Sequence, residues 1–139
     1  MPLEQMKKNN LMNEFEFIIY VNNQNRSKDF YEKLLRIKPS LNVPGMTEFN
    51  LSKNVKLGLM PENGIAKIIS NKLPHPNKGN GIPRCGLYLK VENPNEYIKR
   101  GIELGGKEIS KLQNRDWGDK VGYISDLDGH ILAFAEKVK

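Results

Sequence analysis

Two histidines, one cysteine and one tryptophan make up the small set of scarce, chemically capable side chains in this chain of 139 residues. Cys85 is alone, so an internal disulfide and a multi-cysteine metal site are both excluded. No histidine stands near it in sequence to activate a thiolate, and it falls in the apolar run Cys85–Val91 in phase with Leu87. Those two points predict an inert core cysteine. His75 lies between two prolines, and His130 follows the turn Asp126-Leu127-Asp128-Gly129. Both are expected to be exposed, and they are not expected to bind metal together. Asp-Gly between two apolar runs is a strong hairpin signal, because glycine supplies the positive φ of the turn without strain. Trp117 sits in the polar stretch "NRDWGD". An indole there exposes apolar area unless it covers something. Arg115, two residues earlier, is expected either to bind an anion or to cap a helix.

These residues must be positioned by regular elements, and the chain spells out the same set twice. The stretch 70–84, SNKLPHPNKGNGIPR, is too rich in Pro, Gly and Asn for helix or strand, and divides the chain as a linker. Before it, Phe15–Val21 reads as a strand, and Ser27, Phe30, Tyr31, Leu34 and Leu35 form one face of a helix over about 25–36. "TEFNL", "VKLGLM" and "IAKII" then read as three strands. After the linker, Cys85–Val91 reads as a strand, and Asn93-Pro94 with Glu96 as a capping box opening a helix over about 94–104 that ends at Gly105-Gly106. "KEISKL", "KVGYIS" and "ILAFAE" follow as three more strands. Val21 and Val91 are equivalent, an offset of 70 residues. The expected fold class is α+β: two paired β-α-β-β-β modules, at 14–70 and 85–137, forming a curled mixed sheet with a central cleft. Residues 1–13 are expected to be a flexible tail, and they lack the apolar core of a signal peptide.

Composition limits the partners. No apolar run approaches the roughly 18 residues needed to cross a bilayer. Half of the net charge of +6 comes from Lys72, Lys78 and Arg84 in the linker, which does not make the basic face of a nucleic-acid binder. No membrane and no nucleic-acid partner is expected, and a reducing cytoplasm fits the lone cysteine.

"RSKDFYEKLL" after a strand, the repeated layout, and "WGDKVGYISDLDGHILAF" together resemble the vicinal oxygen chelate superfamily, the glyoxalase I, bleomycin-resistance and extradiol dioxygenase group. The resemblance spans about residues 14–137. It implies a cleft for a small molecule, completed in many relatives by a second chain, so a homodimer is expected. In metal-using relatives four side chains hold a divalent ion. The matching positions here are Glu16, Gly58, Gly86 and Ala133. Glycine and alanine offer no donor, and one carboxylate does not hold a catalytic metal, so no metal and no other cofactor is expected.

Strand parity from those positions separates two faces. Phe17, Ile19, Leu57, Leu59, Leu87, Leu89, Leu132 and Phe134 are all apolar and should pack under the helices. The opposite face carries Glu16, Ile18, Tyr20, Lys56, Met60, Tyr88, Lys90, Ile131 and Ala135, a mixture suited to a ligand cleft. Glu16 is the candidate catalytic residue, as general base or hydrogen-bond acceptor, against a plain ion pair with Lys56 or Lys90. Tyr20, Met60, Tyr88, Arg115 and Trp117 are the candidate ligand-binding residues. The expected function is metal-free binding or sequestration of a small molecule, aromatic and anionic rather than cationic. The alternative is a lyase, isomerase or dioxygenase of the same superfamily.

Overall fold

The computed structural model describes residues 12–139, so all but the last two residues of the expected tail lie outside the described residues. The first module runs β1 (Phe15–Val21), α1 (Gln24–Leu35), β2 (Leu41–Val43), β3 (Met46–Ser52), β4 (Val55–Pro61) and α2 (Glu62–Ile69). A single 3-10 turn, Pro76–Gly79, interrupts the linker. The second module runs β5 (Gly86–Lys90), α3 (Pro94–Glu103), β6 (Lys107–Asn114), β7 (Asp119–Ser125) and β8 (Ile131–Lys137).

Each module folds for local reasons. The Asn23 side chain accepts from the backbone N–H of Arg26 and caps α1, whose buried face is Ser27, Phe30, Tyr31 and Leu34. The helix ends at Arg36 in the left-handed region, φ 57°, where glycine would carry no strain. Pro94 begins α3 and Ile98 and Gly101 are its buried stripe. The strand orders are β1-β4-β3-β2 and β5-β8-β7-β6, with β1 parallel to β4 and β5 parallel to β8. Both parallel pairs are connected by way of a helix, as a parallel pair requires. The register reproduces the repeat: Ile18 pairs with Gly58, and Tyr88, seventy residues after Ile18, pairs with Ala133.

One core serves both modules. Val21, Leu57, Leu59 and Phe49 from the first sheet join Ile124, Leu132 and Phe134 from the second, with Phe30, Tyr31, Leu34 and Ile98 from the helices. All eight residues assigned by parity to the helix side belong to this cluster or pack against it. The modules are also joined by polar bonds. Arg100 on α3 donates to the carbonyl oxygen of Leu34 at the end of α1 through Nε (3.0 Å) and Nη2 (2.8 Å).

Four expectations are corrected. "IAKII" is part of helix α2, and the remaining strand of the first module is the short "LNV" of β2. A run of isoleucines suits a strand, yet Ile65, Ile68 and Ile69 also fall at helical spacing, and periodicity alone does not separate the two over so few residues. Pro61 closes β4, and Glu62 places an acid in the first turn of α2, where the helix dipole favours it. Cys85 is exposed, because β5 starts one residue later. Asn93 precedes α3 in a left-handed conformation, φ 55°, and its side chain makes no capping bond. Both histidines are partly buried, His75 beside Asn63 Oδ1 at 2.9 Å and His130 for reasons given below. No helix among the described residues is long and apolar enough to cross a membrane.

Candidate functional site

The sheet faces turned away from the helices carry the candidate residues, in two groups. On the first module, β1, β4 and β3 lie side by side, so Glu16, Gly58 and Glu48 fall on one face. Gly58 is central. A Cβ there would collide with Glu16 Oε2 and stand 3.0 Å from Ile18 Cγ1. The missing side chain therefore leaves the room into which the Glu16 carboxyl folds, towards Glu48. Glu16 Oε2 is shut off from solvent and has no donor among the described residues. Lys56 does not supply one: its ammonium lies 3.0 Å from Glu14 and 3.7 Å from Glu48. Burial first, then the hydrogen bond and charge of Glu48, push the Glu16 carboxyl up to about 7. Tyr20 and Met60 are register partners on the same face, Tyr20 exposed and Met60 half-buried.

On the second module the small residues of β8 set the arrangement. Ala133, Ala135 and Val121 form a buried floor, with Tyr123 packed on it. Trp117 Nε1 donates to Tyr88 Oη at 2.9 Å, and Tyr88 Oη donates to Asp119 Oδ2 at 2.6 Å. Lys90 Nζ lies 3.7 Å from the same Asp119 oxygen. Burial and then the Asp119 carboxylate hold the Tyr88 hydroxyl above its ordinary value, so it remains an O–H donor. Trp117 keeps 59% of its surface exposed and Tyr88 keeps 42%, so this aromatic pair has faces left for a further contact.

Arg115 is placed differently from the expectation of an anion anchor. Its guanidinium donates to the carbonyl oxygens of Val121 and Lys111 and to Ser110 Oγ, and it stacks over the Tyr123 ring at 5.1 Å. Its donors are committed within the β6–β7 hairpin. The structure thus brings Tyr88 to Trp117 and Tyr20 to Met60, while no hydrogen bond or ion pair among the described residues joins the two groups. Glu48, Asp119 and Tyr123 were not singled out from sequence. The alternation in "TEFNL", with Thr47 and Phe49 buried, is the signal that puts Glu48 on the open face.

The residues at the metal positions of metal-using relatives do not fit an ion. Register makes Gly58 and Ala133 equivalent, and neither they nor Gly86 has a donor. The space beside Gly58 is filled by Glu16 itself. Asp126, Asp128 and His130 do bring ligand-type atoms within 4.8 Å of one another, but those atoms are engaged in a clasp between modules. Asp126 Oδ2 accepts from Tyr31 Oη at 2.5 Å and from His130 Nδ1 at 2.8 Å. Its Oδ1 accepts the backbone N–H groups of Asp128 (2.9 Å) and His130 (2.8 Å). Asp128 in turn accepts from the Asn22 backbone N–H (3.1 Å) and Ser27 Oγ (3.3 Å). The hairpin after β7 is thereby bolted onto α1 and the loop before it.

Comparison with known proteins agrees with this geometry. A family model described as a glyoxalase-like domain matches residues 15–139. The Mycobacterium bovis protein Mb0911c is 22% identical over 114 residues, which cover 80% of this chain and 74% of that protein. A solved glyoxalase-related enzyme from Fulvimarina pelagi superposes with a TM-score of 0.76 at 18% identity, covering 91% of this chain and 89% of that one. A glyoxalase/bleomycin resistance protein/dioxygenase family enzyme from Burkholderia phytofirmans PsJN gives 0.71 at 10% identity, covering 88% and 97%. At these identities the structural likeness establishes the fold alone.

Proposed function

The chain belongs to the glyoxalase-like domain family of the vicinal oxygen chelate superfamily, and from that premise we propose that it binds a small aromatic molecule without a metal ion. The observation that carries this reading is the Trp117–Tyr88 pair, hydrogen-bonded yet open to solvent, with Tyr88 in register beside Ala133, where a metal-using relative needs an acid. Aromatic faces at such a place reward a flat π-system by about 0.5–1.5 kcal/mol per pair beyond area burial. The anionic preference expected from sequence loses its support with Arg115 occupied, and aromatic character is what remains.

Trp117 is the only tryptophan, so its fluorescence reports this site alone. Titration with benzamide, benzoate and benzylamine should give a saturable change for at least one ring compound and none for acetamide. Tyr88→Ala should weaken that binding about tenfold, equivalent to about 1.4 kcal/mol. An emission spectrum unmoved by every ring compound at millimolar concentration would count against the proposal.

A second reading rests on Glu16. A carboxyl held near 7 is well matched to take up and release a proton at neutral pH, which would suit a metal-independent isomerase or lyase.

A further inference from the structure

We propose that Glu48 is a positioning residue for Glu16: the two carboxyls share a single proton across Gly58, so the face of the first module offers its ligand a group that donates and accepts at once. This deepens the proposed function and rests on the ligand held at the Trp117–Tyr88 pair also reaching this face.

Geometry makes the case. Glu16 and Glu48 stand on β1 and β3, which are not neighbours; β4 runs between them. Two side chains so placed meet only if the residue between them is small. Gly58, register partner of both Ile18 and Glu48, is that residue. Glu16 Oε2 then ends without access to water or to any donor among the described residues. Two ionised carboxylates in that arrangement would repel each other and leave the buried oxygen bare. One proton between them removes both penalties, as in other carboxyl pairs held at close quarters.

The remaining charges do not undo this. Glu14, just before β1, adds negative charge, and from β4 Lys56 supplies the one neighbouring cation among the described residues, 3.0 Å from Glu14 and 3.7 Å from Glu48. β2 sets Leu41 opposite Glu48 and adds no charge. The raised Glu16 value, with burial as its largest cause and Glu48 next, agrees in direction, and Lys56 lowers it only in part. A pair holding one proton can donate to a carbonyl oxygen and accept from an N–H or O–H. That selects an uncharged aromatic amide or phenol over an aromatic carboxylate, which the remaining negative charge repels.

The test is a carboxyl carbon NMR titration of the ligand-free protein from pH 3 to 9. Glu16 in the wild type should titrate near 7. In Glu48→Gln the new amide donates to Glu16 and removes the like charge, and the midpoint should fall by about two pH units. Glu48→Asp should restore a raised midpoint, a rescue that a merely structural role would not produce. A wild-type midpoint in the ordinary carboxylate range, or one that Glu48→Gln leaves in place, overturns the proposal, and the wild-type result needs no variant to fold. Benzamide and benzoate followed by Trp117 fluorescence form the separate arm. Benzamide should bind at least about tenfold more tightly than benzoate at pH 7, and its affinity should fall as pH rises through the Glu16 midpoint. Equal affinities overturn the ligand selection. If Glu16 titrates near 7 while no ring compound binds at any pH, the aromatic-ligand reading fails and the shared proton stands.

Discussion

Asp126→Ala is expected to lower the unfolding free energy by about 3–5 kcal/mol, the cost of breaking a buried, charge-assisted network from one side. Asp126 is 5% exposed and accepts four hydrogen bonds, two from backbone N–H groups of its own hairpin, one from His130 and one from Tyr31 of the other module. Alanine leaves the Tyr31 hydroxyl, which is almost fully buried, without an acceptor. The pH dependence follows from both partners. For Asp126, burial alone would raise the carboxyl, but the bonds from His130 and Tyr31 outweigh it and the net value is lowered. Its contribution is present above the ordinary 3.8 and is lost as pH falls through its own lower value. For His130, burial opposes the charge and Asp126 more than offsets that, with Asp128 and Glu62 adding, so the net value is raised. Its contribution is present below 6.5 and is lost as pH rises through its own higher value. The gap between wild type and Asp126→Ala in urea denaturation should therefore be widest between pH 3.8 and 6.5. A loss under about 1 kcal/mol across that window would show that the clasp holds little.

Phe134→Ala should cost about 3–5 kcal/mol, as removal of a fully buried aromatic ring does. Phe134 is 0% exposed and stacks on Tyr97 with centroids 5.2 Å apart. It lies in a core to which both modules contribute, so the variant should unfold in one transition, earlier than the wild type, by circular dichroism and Trp117 fluorescence alike. Two separated transitions, or a loss under about 1.5 kcal/mol, would mean that the modules do not share a core.

Phe134 was legible from strand parity alone, and so was the repeat, because alternation of side chains is a property of the extended backbone. Gly58 and Ala133 came from the resemblance as positions of one kind, and the register agrees: Gly58 lies beside Ile18 and Ala133 beside Tyr88, seventy residues on. What parity does not say is which side chains on a face will meet. Glu48 reaches Glu16 only because β4 brings Gly58 between them, a fact of strand order. Arg115 had a choice between a ligand and nearby carbonyls; the turn at Asp116–Gly118 brings the Val121 oxygen within 2.9 Å, and the local partner wins. The Asp126 hairpin was read as a turn, while its role as a clasp depends on Tyr31, 95 residues away. Asn93 shows the same limit at short range: the cap residue type was right, and in its left-handed conformation the side chain makes no capping bond.

The central claim is that this glyoxalase-like chain binds its ligand without metal, and one paired measurement addresses it. Purified protein is analysed for Ni, Zn, Fe and Mn, then dialysed against a chelator, and benzamide binding is followed through Trp117 fluorescence before and after. The account predicts far less than one metal ion per chain and the same affinity in both samples. One ion per chain, removed by the chelator together with the binding, would contradict it.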